Sequence, residues 1–326
     1  MNNSHLFGTK IINPMEIVKM NTLELKQHKN PLVIYHKNCA DGFAAAWCFW
    51  DAQRDWETVF DFHPGVYNEP LPDVDDRIVY LVDFSYDAEH MQSLLERAYH
   101  VYLIDHHKSA VDKLTHLFTH SKLTVYVDMD RSGAMLAWDF IHNRHPETGV
   151  EFRPGHPDYC NPPLLLEHIQ DRDLWKFKLP LTREIQANVF SHEYDFNTWN
   201  DLMGMNRADL MSFSVGGQAI ERKHHKDIKE LLAVTQRMMD IAGYIVPVAN
   251  LPYTLASDAC NAMANDYEEG RLFAASYFDT AQHRVFSLRS TDHGVDVAKI
   301  AEQYGGGGHM RAAGFRVSRL HYLATL

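Results

Sequence analysis

Short, uninterrupted apolar runs in the first third of the chain end on residues that bind metals or move protons. "LVIYH" closes on His36, "IVYLVD" on Asp83 and "VYLID" on Asp105, the last followed at once by His106 and His107. Continuous runs of this length, rich in Val, Ile and Tyr, predict parallel strands buried on both faces. Between them stand helical stretches, "DGFAAAWCFWDA" and "DAEHMQSLLERA". Strand alternating with helix predicts an α/β fold, an open parallel sheet with helices on both faces. In that architecture ligands bind outside the carboxyl ends of the strands. Three strands should therefore carry imidazoles and carboxylates to one edge.

Downstream, "RSGAMLAWDFIHNR" reads as a helix with Ser132 as its N-cap. "PPLLLEHIQDRDLW" reads as another, opened by Pro162 and Pro163 and ending on Asp171 and Asp173. Residues 209–242 turn charged and helical, with Gly243 as an expected C-cap, and are predicted to form a connecting helix. A second histidine pair, His224 and His225, lies there within "ERKHHKDIKE", whose flanking charges predict a solvated face. Beyond 243, "YIVPVAN", "RLFAASYFD" and "RVFSLRS" read as strands, "SDACNAMANDY" and "DVAKIAEQY" as helices, before "GGGGHMRAAGF". This is a smaller, mixed-sheet α/β unit. The predicted organisation is an extension over 1–30, a first domain over 31–208, the helix over 209–242 and a second domain over 243–326.

Composition narrows the partners. The 326 residues carry a formal charge of −12, with 43 acidic against 31 basic side chains. A broad grip on duplex nucleic acid rests on neutralising many phosphates, so it is not expected here. A local basic pocket for a small or short anion remains compatible. Cys39, Cys48, Cys160 and Cys260 show no C-x-x-C spacing, so no disulfide framework is expected. Without an apolar signal-peptide core or a run approaching about 18 apolar residues, a soluble, cytoplasmic protein with no membrane partner is expected. Oligomeric state stays open, a homodimer included.

His36, Asp41, Asp83, Asp105, His106, His107, Asp171 and Asp173 form one candidate constellation. Mixed imidazole and carboxylate ligands suit Mn²⁺, Fe²⁺ or Zn²⁺, and carboxylate-rich sites with waters favour Mn²⁺ or Mg²⁺. A carboxylate at a strand end can bridge two ions, and two ions about 3.5–4 Å apart clamp both oxygens of an in-line displacement at phosphorus. Singly, each of these residues could merely cap a helix or solvate a loop. In the second half, Gly305 to Gly308 with His309, Arg311 and Arg289 read as a phosphate-binding face, because glycine lets backbone N–H groups approach an anion. Tyr277, Phe278 and Phe286 could stack bases, although strand aromatics more often fill the core.

At this level the chain resembles the DHH phosphoesterases. "LIDHHK" matches their signature, "VIYHKNCADGFAAAW" and "VYLVDFS" match the first two motifs in position and order, and "SLRS…GVDVAKIAEQYGGGGHMRAAGF" is similar to their C-terminal DHHA1 domain. The resemblance spans about residues 31 to 318. It implies a DHH catalytic domain and a DHHA1 substrate-binding domain, with two divalent ions, usually Mn²⁺ with Mg²⁺ as the alternative, in the cleft between them. By motif, His36, Asp41, Asp83 and His106 would be metal ligands, Asp83 bridging both ions. Asp105 would orient a ligating histidine and His107 would meet the substrate phosphate. The fourth motif aligns best with Asp171, with Asp173 as the alternative. Arg289, Gly306, Gly307, Gly308 and His309 would hold the substrate phosphate. One departure stands out: many relatives place two aspartates after the first histidine, whereas "HKNCADG" supplies only Asp41. Asn38, Cys39 or water would then complete the first metal.

The expected activity is hydrolysis of a phosphodiester in short oligonucleotides or cyclic (di)nucleotides by a metal-bound hydroxide attacking in line. The runner-up is a phosphoanhydride, pyrophosphate or short polyphosphate. A reading from another class is a non-catalytic nucleic-acid-binding module of the same fold, against which intact Asp83, His106 and His107 speak.

Overall fold

The computed structural model describes residues 29–67, 69–143, 151–266 and 273–325. The expected N-terminal extension lies, up to residue 28, outside them. Two compact units divide the chain: Met1–His107 with Val111–Ala219, and Lys108–Ala110 with Ile220–Leu326.

In the first unit, β1 (Leu32–His36), β2 (Asp61–Gly65), β3 (Ile78–Val82), β4 (His100–Asp105) and β5 (Leu123–Val127) form an all-parallel sheet in the order β2-β1-β3-β4-β5. Its helices are α1 (Ala40–Ala52), α2 (Ala88–Arg97), α3 (Lys108–Leu114), α4 (Gly133–His142), α5 (Leu164–Asp173), α6 (Thr182–Val189) and α7 (Phe196–Met203). Strand side chains alternate between two cores. Val33, Tyr80, Val82 and Ile104 pack with Phe49 of α1 and Trp138 and Phe140 of α4. Leu32, Ile34, Leu81 and Leu103 pack with Met91, Leu94 and Leu95 of α2. With both faces covered, the strands need no polar alternation, which is why they read as unbroken apolar runs.

This strand order belongs to doubly wound sheets whose ligand crevice opens between β1 and β3. The register then fixes what stands in it. Tyr35 pairs with Val82 and Val82 with Ile104, so the next residues, His36, Asp83 and Asp105, stand as one row at the sheet's carboxyl edge.

A long helix, α8 (Arg207–Thr235), leads into the second unit. There β6 (Arg237–Ile241), β7 (Tyr244–Asn250), β8 (Ala274–Asp279), β9 (His283–Arg289), β10 (Gly307–Gly308) and β11 (Ala312–Ser318) lie in the order β10-β11-β9-β8-β7-β6. Only the β7–β8 pairing is parallel. The sheet is flanked by α9 (Ala256–Asp266), α10 (Val297–Glu302) and α11 (Tyr322–Thr325). Tyr277 and Phe286 are buried in this core.

The helix expected up to 242 stops at Thr235. Residues 237–241 instead pair with β7 across a two-residue turn in which Ala242 (φ 54°) and Gly243 (φ 83°) are both left-handed, the geometry a tight hairpin requires. Gly243 serves that turn and caps no helix. His224 also departs from a solvated face: its Nε2 lies 3.0 Å from Asp258 Oδ2, with both side chains largely buried. His225 is exposed and pairs along the helix with Glu221. Among the described residues no helix is long and apolar enough to cross a membrane.

Candidate metal centre

His36 ends β1, Asp83 follows β3, and His106 and His107 follow β4, so three strand ends converge as the register requires. Asp83 bends sharply out of its strand in the left-handed region, at φ 52°. For a non-glycine residue this conformation is strained, and such strain collects at functional sites. Its amide remains tied to the sheet, donating to Ile104 O at 3.0 Å.

The carboxylates crowd round one imidazole. His106 Nε2 stands 3.1 Å from Asp83 Oδ1, 3.5 Å from Asp173 Oδ2 and 3.8 Å from Asp41 Oδ2. His106, Asp41 and Asp83 are almost fully buried, while Asp173 is partly exposed. On the other side of Asp83, His36 Nδ1 lies 3.7 Å from its Oδ2. Ligand atoms of Asp41, Asp83 and His106 all lie within 4.8 Å of one another, and so do those of His36, Cys39 and Asp83. Asp83 alone belongs to both sets.

Asp41 is held by more than this cluster. Gly133 N–H donates to its Oδ2 at 2.6 Å and Ala134 N–H to its Oδ1 at 3.2 Å. The carboxylate thus sits on the N-terminus of α4, where the exposed amides and the helix dipole favour negative charge. Ser132 caps that helix as expected, accepting from Met135 N–H.

Asp105 has a different task. Its Oδ1 accepts from the amides of His106 (2.7 Å) and His107 (3.1 Å) and meets His107 Nδ1 at 2.7 Å. The histidine it orients is therefore His107. This fixes the ring with Nδ1 directed at the Asp105 carboxylate.

The charges describe a place made for a cation. Burial, then the charges of Asp173 and Asp83, push the Asp41 carboxyl well above the usual range. Burial also raises Asp173, with His106 opposing and Asp83 adding to it. Burial works against charging His106, but Asp83, Asp173 and Asp41 outweigh it and lift its pKa to about 10. Meanwhile Asp83 Oδ2, Asp105 Oδ2 and His36 Nδ1 are buried without a hydrogen-bond partner among the described residues. Buried polar atoms are ordinarily satisfied, and a divalent ion would both satisfy them and relieve the carboxylate repulsion. The donor set of imidazoles and carboxylates fits such an ion.

The cluster takes Asp173 rather than Asp171. The Asp171 carboxylate accepts from the amides of Lys178 (2.8 Å) and Leu179 (3.0 Å) and from Thr182 Oγ1 (2.7 Å), clamping the turn after α5. Burial works to raise its pKa, but these three donors outweigh it and hold the pKa below the usual carboxylate range. Sequence reasoning also missed two glycines. A Cβ at Gly42 would stand 2.6 Å from His36 O, so α1 packs against the backbone of a site residue, and Gly133 does the same against Asp83. A signal was present in "ADGF", where Gly42 follows the candidate ligand Asp41, while "RSGA" offered only a glycine directly after an N-cap serine.

The expected phosphate contacts lie in the second unit. Arg289 ends β9, donating to Ser257 Oγ (2.7 Å) and Leu288 O (2.8 Å). His309 forms a tight turn with Ala312, its amide donating to Ala312 O at 2.7 Å. Gly307 and Gly308 form β10 against β11. The Gly306 amide donates to Ala301 O at 2.9 Å and is spent within the fold. Arg311 braces the 290–294 segment through the carbonyls of Asp292 and Gly294.

No protein-family model matches the chain. A curated relative, Uncharacterized protein R106 of Acanthamoeba polyphaga mimivirus, is 28% identical over 304 residues, covering 88% of this chain and 67% of that protein. Among solved structures the chain is similar to exonuclease RecJ bound to manganese, at 14% identity and TM-score 0.48, covering 94% of this chain and 92% of that one. It is also similar to the pGpG-specific phosphodiesterase PggH from Vibrio cholerae, at 15% identity and TM-score 0.41, covering 89% and 94%. In motif order the chain resembles the DHH phosphoesterases. What its own residues define is an α/β protein with an imidazole–carboxylate centre at the crevice of a parallel sheet.

Proposed function

We propose that this protein is a divalent-metal-dependent phosphoesterase that hydrolyses phosphodiesters of short oligonucleotides or cyclic (di)nucleotides. The observation that carries the reading is Asp83, a buried carboxylate shared by two candidate ligand sets, one of its oxygens without a hydrogen-bond partner among the described residues. His36, Asp41, Asp83, His106 and Asp173 would hold two ions, Mn²⁺ or Mg²⁺. Bound there, such ions neutralise phosphoryl charge and lower the pKa of water.

The remaining chemistry belongs to the side chains. Asp105 holds the His107 ring through its Nδ1, and His107 is assigned to donate to a phosphoryl oxygen. Burial opposes protonation of His107, but the Asp105 carboxylate overcomes it and raises its pKa; an imidazole donor here suits the stabilisation of developing negative charge. In the second unit, Arg289 and His309 are assigned to substrate phosphate. Arg289→Ala should then raise KM with little change in kcat.

The test is a panel of short oligoribonucleotides, short oligodeoxynucleotides, cyclic dinucleotides, pyrophosphate and polyphosphate. Each is incubated with protein and Mn²⁺ or Mg²⁺, and products are resolved by chromatography. Nucleoside monophosphates or linearised dinucleotides are expected, with their release abolished in Asp83→Ala. Hydrolysis confined to pyrophosphate or polyphosphate would overturn the substrate class. Full activity of Asp83→Ala at saturating Mn²⁺ would overturn the shared-carboxylate centre.

A further inference from the structure

We propose that Cys39 is a thiolate ligand, so that the two metal positions differ in kind. One is a sulfur-free nitrogen–oxygen set of Asp41, Asp83, His106 and Asp173. The other is a nitrogen–sulfur–oxygen set of His36, Cys39 and Asp83. The proposal rests on the reading of this cluster as a metal centre and adds a chemical identity to half of it.

Three observations converge on the thiol. First, ligand atoms of His36, Cys39 and Asp83 lie within 4.8 Å of one another, close to the span of one ion with metal–ligand bonds of about 2.0–2.3 Å. Second, Asp83 Oδ2, on a side chain 2% exposed, and His36 Nδ1 have no hydrogen-bond partner among the described residues, and they face each other at 3.7 Å. An ion between them would satisfy both atoms. Third, Cys39 occupies the N-cap of α1 (φ −120°, ψ 131°) but makes no side-chain cap hydrogen bond. That position ordinarily takes Ser, Thr, Asp or Asn, whose oxygen accepts from the helix amides. Its backbone does the usual work, the carbonyl accepting from Phe43 N–H at 3.0 Å. Asn38, left-handed at φ 56°, sets the turn that leads from β1 into Cys39.

The consequence is metal choice. Thiolate is softer than carboxylate and favours Zn²⁺ or Co²⁺ over Mn²⁺ and Mg²⁺. Binding releases the thiol proton to solvent as the metal–sulfur bond forms. The two positions would then fill with different ions, or fill in a fixed order when a single softer ion is supplied.

Cobalt substitution reads the thiolate directly. Full-length wild type, Cys39→Ser and Cys39→Asp are loaded with Co²⁺, each on a Cys160→Ser background because Cys160 is the exposed cysteine. Bound cobalt is counted by elemental analysis and ultraviolet absorption is recorded. The expected result is a sulfur-to-cobalt charge-transfer band in the Cys39 protein that is lost in both variants, while Cys39→Asp still binds about two ions. Cobalt bound without that band, or a band that persists in Cys39→Ser, would overturn the thiolate ligand and leave the metal centre standing. Failure of the Cys39 protein to bind cobalt, Mn²⁺ or Zn²⁺ would overturn both this proposal and the metal-dependent function.

Discussion

A Cβ at Gly133 would stand 2.8 Å from Asp83 Oδ1 and 2.9 Å from its Cα. The first turn of α4 therefore lies directly on the carboxylate shared by both ligand sets, and only glycine leaves room. Gly133→Ala should displace either the helix or Asp83. Overpacking of this kind costs about 1–3 kcal/mol, and metal affinity should fall with it. Thermal melting with and without Mn²⁺ checks this; unchanged stability and unchanged Mn²⁺ binding would refute it.

Asp171 and Asp173 should separate cleanly on mutation. Asp171→Ala leaves three donors without their acceptor, at about 1–3 kcal/mol for a buried group, and should lower the melting temperature while metal content is largely kept. Asp173→Ala should do the reverse, losing metal with little loss of stability. Calorimetry beside elemental analysis distinguishes them, and an exchanged pattern would reinstate Asp171 in the centre.

Asp105→Asn should weaken the hold on His107 while leaving the ligand set in place. Groups that orient others around a metal typically account for about 10–100-fold in activity. A fall of that order in kcat, at unchanged metal content, is expected from steady-state kinetics. Unchanged kcat would remove Asp105 from its positioning role.

His100, at the start of β4, supplies a pH dependence remote from the centre. Burial, then the charge of Lys122, lowers its pKa from 6.5 to about 4, with Nε2 2.9 Å from Thr124 Oγ1. The folded state prefers the neutral ring, so this stability is fully present above pH 6.5 and is lost as the pH falls towards 4. Because the ring is partly exposed, the loss is about 1–2 kcal/mol. Urea unfolding at about pH 7.5 and about pH 4.5 should show a smaller drop for His100→Gln than for wild type. Equal drops would assign the acid sensitivity elsewhere.

Much of this was legible in the sequence because a parallel sheet buried on both faces writes itself as apolar runs. The residue ending each run then has to stand at the binding edge, and His36, Asp83 and Asp105 do. The choice between Asp171 and Asp173 was not legible. Two positions apart on a helix, they point about 200° from each other, and only packing decides which face turns inward. The end of α8 was hidden for a related reason. "RMMDI" carries residues compatible with helix, and pairing with β7 overrides that preference. Edge strand β2 was hidden because its "DFHPG" is only partly buried and contains Pro64, so it lacks the unbroken apolar signature of its neighbours.

The bond from Gly133 N–H to Asp41 joins positions 92 residues apart, and Asp173 lies further on still. Contacts of such long sequence separation form only after the intervening chain has paid its closure entropy. During synthesis, then, a nascent chain that has produced His36, Asp83 and His106 has the ends of β1, β3 and β4 but not the anchored carboxylates. On the proposed reading, loading with metal would be a late event, a seal on a finished first unit rather than a seed for its folding.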